Sequence, residues 1–356
     1  TIAAVLRDNG YRTGGFVANR FYVGDESGLG RGFLHYDVDP VFSLIDFVGS
    51  SSLGRAIVND RKWRLRLGML QKPGRKYADD INREFLAWLG EPSEHPYFAF
   101  LNLFDAHHPY LPPAPYDSLF GPLLPGRDPS MVEGRALSPR ELQAEIDAYD
   151  GGIAFQDHQL GLLLDALDAR GALDNTIVIV TSDHGEEFGE HGVFTHGNSL
   201  YEPALHVPLL VWTPSWRGAP LAAARIPDWV STRDLAATIL DLAGADRGEE
   251  LPGTSLARYW REPDGRTAPD TLLAAVSHAR GHPASYPVSK GDMSAVLAYP
   301  LKYIRGGDGR EELYDLKSDP AELHDLRSRP EYGDAIARFR QYVEPDPAGE
   351  AVARER

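Results

Sequence analysis

Apolar positions along this chain follow two patterns, short continuous runs and stretches in which they return every three or four residues. Ile2, Val5 and Leu6 share one face of a periodic stretch that stops at Asn9-Gly10, which predicts a short helix. Arg12 to Ala18 reads as a strand, and Gly24 to Asp39, rich in glycine and acidic residues, as loop. Tyr77 to Leu89 alternates charged and apolar positions at helical spacing. Tyr97 to Phe104 is a nearly continuous apolar run, the pattern of a strand buried on both faces. Proline and glycine are so frequent from Leu111 to Leu137 that a surface loop is expected. Ser138 as N-cap, Pro139 at the first helical position and Glu141 closing a capping box then predict a strong helix start. Ile146, Tyr149, Ile153, Leu160, Leu163, Leu164 and Leu167 carry one face of that helix to Gly171.

Two further apolar runs, Thr176 to Val180 and Val207 to Trp212, precede a helix from about Ser231 to Leu242. Strands separated by amphipathic helices predict an α/β fold in which helices cover both faces of a mostly parallel sheet. Beyond about Ala268 the segments become shorter and more polar. Ala295 to Tyr299 and Lys302 to Ile304, the turn Gly306 to Gly309 and a closing helix near Tyr332 to Tyr342 predict a small α+β subdomain with an antiparallel sheet. The expected division is a catalytic domain over 1–267, a subdomain over 268–345 and a polar tail over 346–356.

Composition narrows the chemistry. The 356 residues contain no cysteine and carry a formal net charge of -16. Disulfides, thiolate metal sites and a cysteine nucleophile are therefore absent from the chain, and its redox compartment stays open. No run approaches the ~20 apolar residues of a membrane-spanning helix. No basic stripe offsets the acidic balance, which disfavours nucleic acid as a partner. The chain opens inside a helical pattern with no leader segment, and the reading is that upstream sequence is missing, with a processed start as the alternative.

In open α/β sheets, ligands bind beyond the carboxyl ends of the strands. After the run ending at Val180 come Asp183-His184-Gly185-Glu186-Glu187, Gly189-Glu190-His191-Gly192 and Thr195-His196-Gly197. A carboxylate and an imidazole adjacent at a strand end can reach one cation. They equally fit a cap and a surface histidine. After the run ending at Phe104 come Asp105, His107 and His108, before a stiff proline-rich stretch. Two such clusters together point to a metal-assisted hydrolytic site.

These motifs resemble the sulfatase family of the alkaline phosphatase superfamily. The resemblance rests on Thr181-Ser182-Asp183-His184-Gly185-Glu186 with Gly189-Glu190-His191-Gly192, on His196-Gly197-Asn198-Ser199-Leu200-Tyr201-Glu202, and on Asp105-Ala106-His107-His108-Pro109-Tyr110. Gly10-Tyr11-Arg12-Thr13, Val230-Ser231-Thr232-Arg233-Asp234-Leu235 and Glu312-Leu313-Tyr314-Asp315-Leu316 with Asp319-Pro320 extend it from Thr1 to about Leu326. The resemblance implies an alkaline phosphatase-like fold and hydrolysis of a small-molecule or carbohydrate sulfate ester. Asp183 and His184 then match metal ligands for one divalent cation, calcium first, with Mn2+, Mg2+ or Zn2+ as alternatives. His107 and His196 match the residues that contact the sulfate or assist the leaving group. Asp105, His108 and His191 are weaker candidates for supporting roles.

The chain departs from the family pattern in two places. Phe16-Val17-Ala18-Asn19-Arg20 stands where many sulfatases carry a catalytic Gly-Lys-Trp-His stretch, and neither Cys-x-Pro-x-Arg nor Ser-x-Pro-x-Arg occurs. The family's formylglycine or serine-type nucleophile is accordingly expected upstream, and the 356-residue chain alone is expected to be inactive. A phosphodiesterase or phosphonate monoester hydrolase of the same superfamily, and a noncatalytic ligand-binding remnant, are the alternative readings. Oligomeric state and localisation have no signal here.

Overall fold

The computed structural model describes residues 1–38, 75–124, 127, 137–214, 225–246, 251–261, 271–279 and 281–343. Asp39, most of 125–136, the expected boundary at 267/268 and the expected tail over 346–356 lie outside the described residues. Two compact units are drawn from 1–131, 136–176 and 233–257, and from 132–135, 177–232 and 258–356.

The first unit begins with α1 (Ile2–Asp8), whose first turn is capped by the Thr1 hydroxyl accepting from the Ala4 N–H. Strands β1 (Arg12–Val17), β2 (His35–Asp37) and β3 (Tyr97–Asn102) form a parallel sheet in the order β2-β1-β3, with Gly14 opposite both His35 and Ala99. β2 falls inside the stretch expected to be loop. It is fixed to α2 (Ala78–Leu89) by Lys76, whose buried ammonium reaches Asp37 at 2.7 Å and Glu84 at 2.8 Å. α2 buries Ile81, Phe85 and Trp88 against Phe16 of β1 and Leu163 and Leu167 of α3 (Pro139–Asp168). Each such side chain contributes about 1.5–3 kcal/mol by leaving water. α3 starts as the sequence predicts, with the Ser138 hydroxyl accepting from the Glu141 N–H and the Glu141 carboxylate accepting from the Ser138 N–H. α4 (Leu235–Ala243) completes the unit.

Two burial expectations need correction. β3 is an edge strand among the described residues, so its side chains are only part-buried and Phe100 stays 38% exposed. Ile153, placed on the apolar face of α3, is also exposed.

In the second unit β4 (Val178–Thr181) pairs with β7 (Leu209–Trp212), and the pair runs antiparallel where the run pattern suggested another parallel neighbour. Between them in sequence lie a two-residue hairpin, β5 (Glu187–Phe188) with β6 (Phe194–Thr195), and the short helical turn Glu202–Leu205. β8 (Leu272–Val276), β9 (Met293–Ala298), β10 (Leu301–Arg305) and β11 (Glu311–Asp315) form an antiparallel sheet, as expected for this end of the chain. One sheet face holds Val288, Met293, Ala295, Ile304 and Tyr314 in a core with Leu200 and Tyr201. The other packs Val296, Tyr303 and Leu313 against Ile336 and Phe339 of α5 (Gly333–Val343). Lys302 is buried between Glu202 and Glu322, 2.8 Å from each. Among the described residues no helix is long and apolar enough to cross a membrane.

Candidate active site

In the second unit the polypeptide turns immediately after β4. The Ser182 hydroxyl donates to the His184 carbonyl at 2.7 Å, and the Asp183 carboxylate accepts the His184 N–H at 3.1 Å. Gly185 donates its N–H to the Ala204 carbonyl at 2.9 Å. A Cβ at this position would sit 2.0 Å from the Pro203 carbonyl oxygen, so only glycine permits this approach. His184 Nδ1 donates to the Gly185 carbonyl at 2.8 Å, which assigns the ring's lone pair to Nε2, 3.8 Å from Asp183 Oδ1. The Asp183 side chain is largely exposed.

His196 is brought to this turn by the β5–β6 hairpin. Glu187 pairs with Thr195 in its register, so the residues just outside that pair, Glu186 and His196, face each other. Their contact is close: His196 Nδ1 lies 3.1 and 3.2 Å from the two oxygens of the buried Glu186 carboxylate. The His196 ring stacks on that of His184, with centroids 4.1 Å apart and planes 20° from parallel. Asp183, His184 and His196 thus form one cluster. Glu186 was not assigned a role from sequence; its signal is its place beside the Asp183-His184 pair and opposite His196 across a tight hairpin.

The next residue, Glu187, is fully buried and accepts a 2.6 Å hydrogen bond from the Ser199 hydroxyl. Burial pushes its pKa up to about 7, and the carboxylates of Glu190, Glu186 and Glu322 push in the same direction. His191 points elsewhere: its ring stacks at 3.7 Å on Tyr201, whose hydroxyl donates to Glu312.

His107 belongs to the first unit, in the loop after β3. Its ring stacks on Phe104 at 4.1 Å, and its Nδ1 donates to the His108 carbonyl at 2.5 Å. Asp105 is buried at the start of this loop and accepts from the Ala78 N–H at 3.2 Å. Burial raises its pKa to about 6, against the lowering effect of that hydrogen bond and of Arg75. The loop lies against α3 at Gly152, where a Cβ would come within 2.8 Å of the Asp105 carbonyl oxygen. His108 meets the ring of Tyr110 edge-on.

Among the described residues no three His, Asp or Glu side chains converge to hold a metal ion. Asp183 and His184 nonetheless suit two positions of a larger ligand set. Two donors bound at about 2.0–2.6 Å to one cation stand roughly 3 to 4 Å apart, which their 3.8 Å separation satisfies.

Comparison with known proteins sets this geometry in context. The sulfatase profile matches residues 1–245, and the profile for the C-terminal region of N-sulphoglucosamine sulphohydrolase matches 189–346. An N-acetylglucosamine-6-O-sulfatase of Bacteroides thetaiotaomicron is 30% identical over 213 residues, covering 60% of this chain and 37% of the relative. An arylsulfatase of Clostridium perfringens is 30% identical over 219 residues, covering 61% and 43% respectively. The chain thus spans less than half the length of these curated relatives. Among solved structures, a phosphonate monoester hydrolase of Agrobacterium radiobacter superposes with a TM-score of 0.71 at 23% identity, covering 96% of this chain and 78% of the other. A protein crystallised with its substrate D-glucosamine-2-N,6-O-disulfate gives 0.67 at 18% identity, covering 96% and 80%. The fold is accordingly α/β of the alkaline phosphatase-like type with a C-terminal antiparallel sheet, in a family that generally uses a divalent metal ion. With more than half its length matched by the family profile, the chain belongs to the sulfatase family of the alkaline phosphatase superfamily.

Proposed function

We propose that the protein is a metal-dependent sulfuric ester hydrolase acting on a small-molecule or carbohydrate sulfate ester. The observation that carries this is the Asp183-His184 turn, with a carboxylate oxygen and an imidazole Nε2 at 3.8 Å and the opposite ring nitrogen tied to a carbonyl. In this reading Asp183 and His184 supply two ligands to one divalent cation, calcium in the first instance, with Mn2+, Mg2+ or Zn2+ as alternatives. When bound, the cation would neutralise charge on the attacking and transferred oxygens.

The remaining chemistry falls to the chain's own imidazoles. Glu186 accepts from His196 Nδ1, which holds the ring in one orientation and leaves its opposite edge directed at a sulfate oxygen in this reading. His107, with Nδ1 committed to the His108 carbonyl, has Nε2 for binding the sulfate or for passing a proton to the departing alkoxide. The nucleophile is not among the residues assigned here. Support for a sulfated sugar as substrate comes from the names of relatives, an N-acetylglucosamine-6-O-sulfatase among them.

The test uses the full-length gene product with 4-nitrophenyl sulfate and a matched phosphonate monoester. Turnover of the sulfate, lost together with bound metal in Asp183→Ala, supports the reading. Wild-type turnover and metal content in that variant would refute it. Faster turnover of the phosphonate would favour the second reading, phosphonate monoester hydrolysis, which the 0.71 superposition motivates.

A further inference from the structure

One side chain holds the loop that carries His107. Arg75 donates from Nη1 to the Pro109 carbonyl at 2.8 Å, and from Nη2 to the carbonyls of Phe104 at 2.6 Å, Asp105 at 3.2 Å and His107 at 3.3 Å. Four carbonyl oxygens of one six-residue segment thus converge on a single guanidinium. Oxygen dipoles that point together repel one another unless a cation sits among them, and an arginine inside a protein keeps its charge. Its flat fork reaches several acceptors at once, where a lysine ammonium is a point donor on a flexible stem.

The guanidinium acts on the ring as well as on the backbone. Its carbon lies 5.2 Å from the centre of the Phe104 ring, and the His107 imidazole stacks on that same ring at 4.1 Å. Arg75, Phe104 and His107 therefore form a short series in which the charge fixes the phenyl ring and the phenyl ring sets the plane of the imidazole. The Asp105 carboxyl, anchored by the Ala78 N–H at 3.2 Å, pins the same loop to the start of α2.

We propose that Arg75 is the positioning residue for His107, holding the Phe104–Pro109 loop in the one shape that presents the imidazole. The inference rests on the sulfatase reading for what His107 does, and on geometry alone for the clamp. Hydrogen exchange and steady-state kinetics on the full-length protein test the two separately. Arg75→Met should raise amide exchange over 104–110 about tenfold while leaving β9 to β11 protected. It should also lower kcat for an aryl sulfate roughly 100-fold with little change in KM, the effect of a catalytic group displaced by about 1 Å.

If Arg75→Met does not fold, Arg75→Lys carries the test. It should give an intermediate loss of kcat, and that loss should vanish in a His107→Ala background, because a residue acting through His107 has nothing left to position. Unaltered exchange over 104–110, or additive losses in the double variant, would overturn the proposal. If the wild-type protein turns over no sulfate ester, the sulfatase reading falls, and the exchange measurement alone decides the clamp: a loosened loop upholds it and an unaltered one overturns it.

Discussion

Glu187 places a carboxyl group where no water reaches it, with one oxygen bonded to Ser199 and three other carboxylates acting on it. Its pKa of about 7, against an ordinary 4.5, means that the folded protein holds a proton the unfolded chain releases. Below about pH 4.5 both states are protonated; as pH rises to about 7 only the unfolded state loses its proton, so stability falls. The full penalty, on the order of 3 kcal/mol, is present above that window. Glu187→Gln stays neutral throughout, so its stability relative to wild type should climb from pH 4.5 to 7 and then level off. Denaturant unfolding at several pH values measures this, and a flat difference would contradict it. The neighbouring Glu186 makes a kinetic prediction. Glu186→Gln keeps an acceptor for His196 but removes the charge, and kcat should fall roughly 10- to 100-fold with metal content unchanged. Equal kcat in variant and wild type would mean that the 3.1 Å contact does not serve the chemistry.

The longest helix among the described residues shows how an element can place a loop it does not contain. α3 carries Gly151-Gly152 at the level where Asp105 and Tyr116 pack, and added Cβ atoms would lie 2.8 Å and 2.3 Å from their carbonyl oxygens. Gly152→Ala should therefore destabilise the protein by about 1–3 kcal/mol through overpacking, although alanine is intrinsically the better helix former. The same change should lower turnover by shifting the loop that holds His107; a Tm equal to or above wild type would show that the loop yields freely. The start of α3 was readable from sequence because Ser138, Pro139 and Glu141 act locally, within one turn. β2 was hidden for the opposite reason. His35-Tyr36-Asp37 becomes a strand through its pairing with β1 and through the distant Lys76, neither of which leaves a mark in a short window. The antiparallel pairing of β7 was equally illegible, since an apolar run specifies burial and says nothing of direction.

For the whole molecule, the legible part of the proposed roles was their vocabulary and the illegible part their grammar. Asp183, His184, His107 and His196 stand out by residue type after apolar runs, whereas Glu186 and Arg75 gain meaning only from what the folded chain lays beside them. Cation binding offers a test at this scale. An ion that binds the native state alone should raise the Tm of the full-length protein, by about 2.7 kcal/mol of stability at a hundredfold excess over Kd. Asp183→Ala should abolish that rise, as should chelation. A rise of the same size in the variant would assign the ion to another place.

If His184 holds the ion and His196 the sulfate, as proposed, their face-to-face rings, 4.1 Å apart, would make ion and substrate share a wall. On the roles proposed for them, exchanging one metal for another shifts the first ring and carries the second with it. A laboratory selection for a new metal would then alter substrate preference as a passenger trait, and neither could be tuned alone. Each ring also lies in the shielding field of the other, so the proton resonances of His196 would report whether the ion is bound, with no added label.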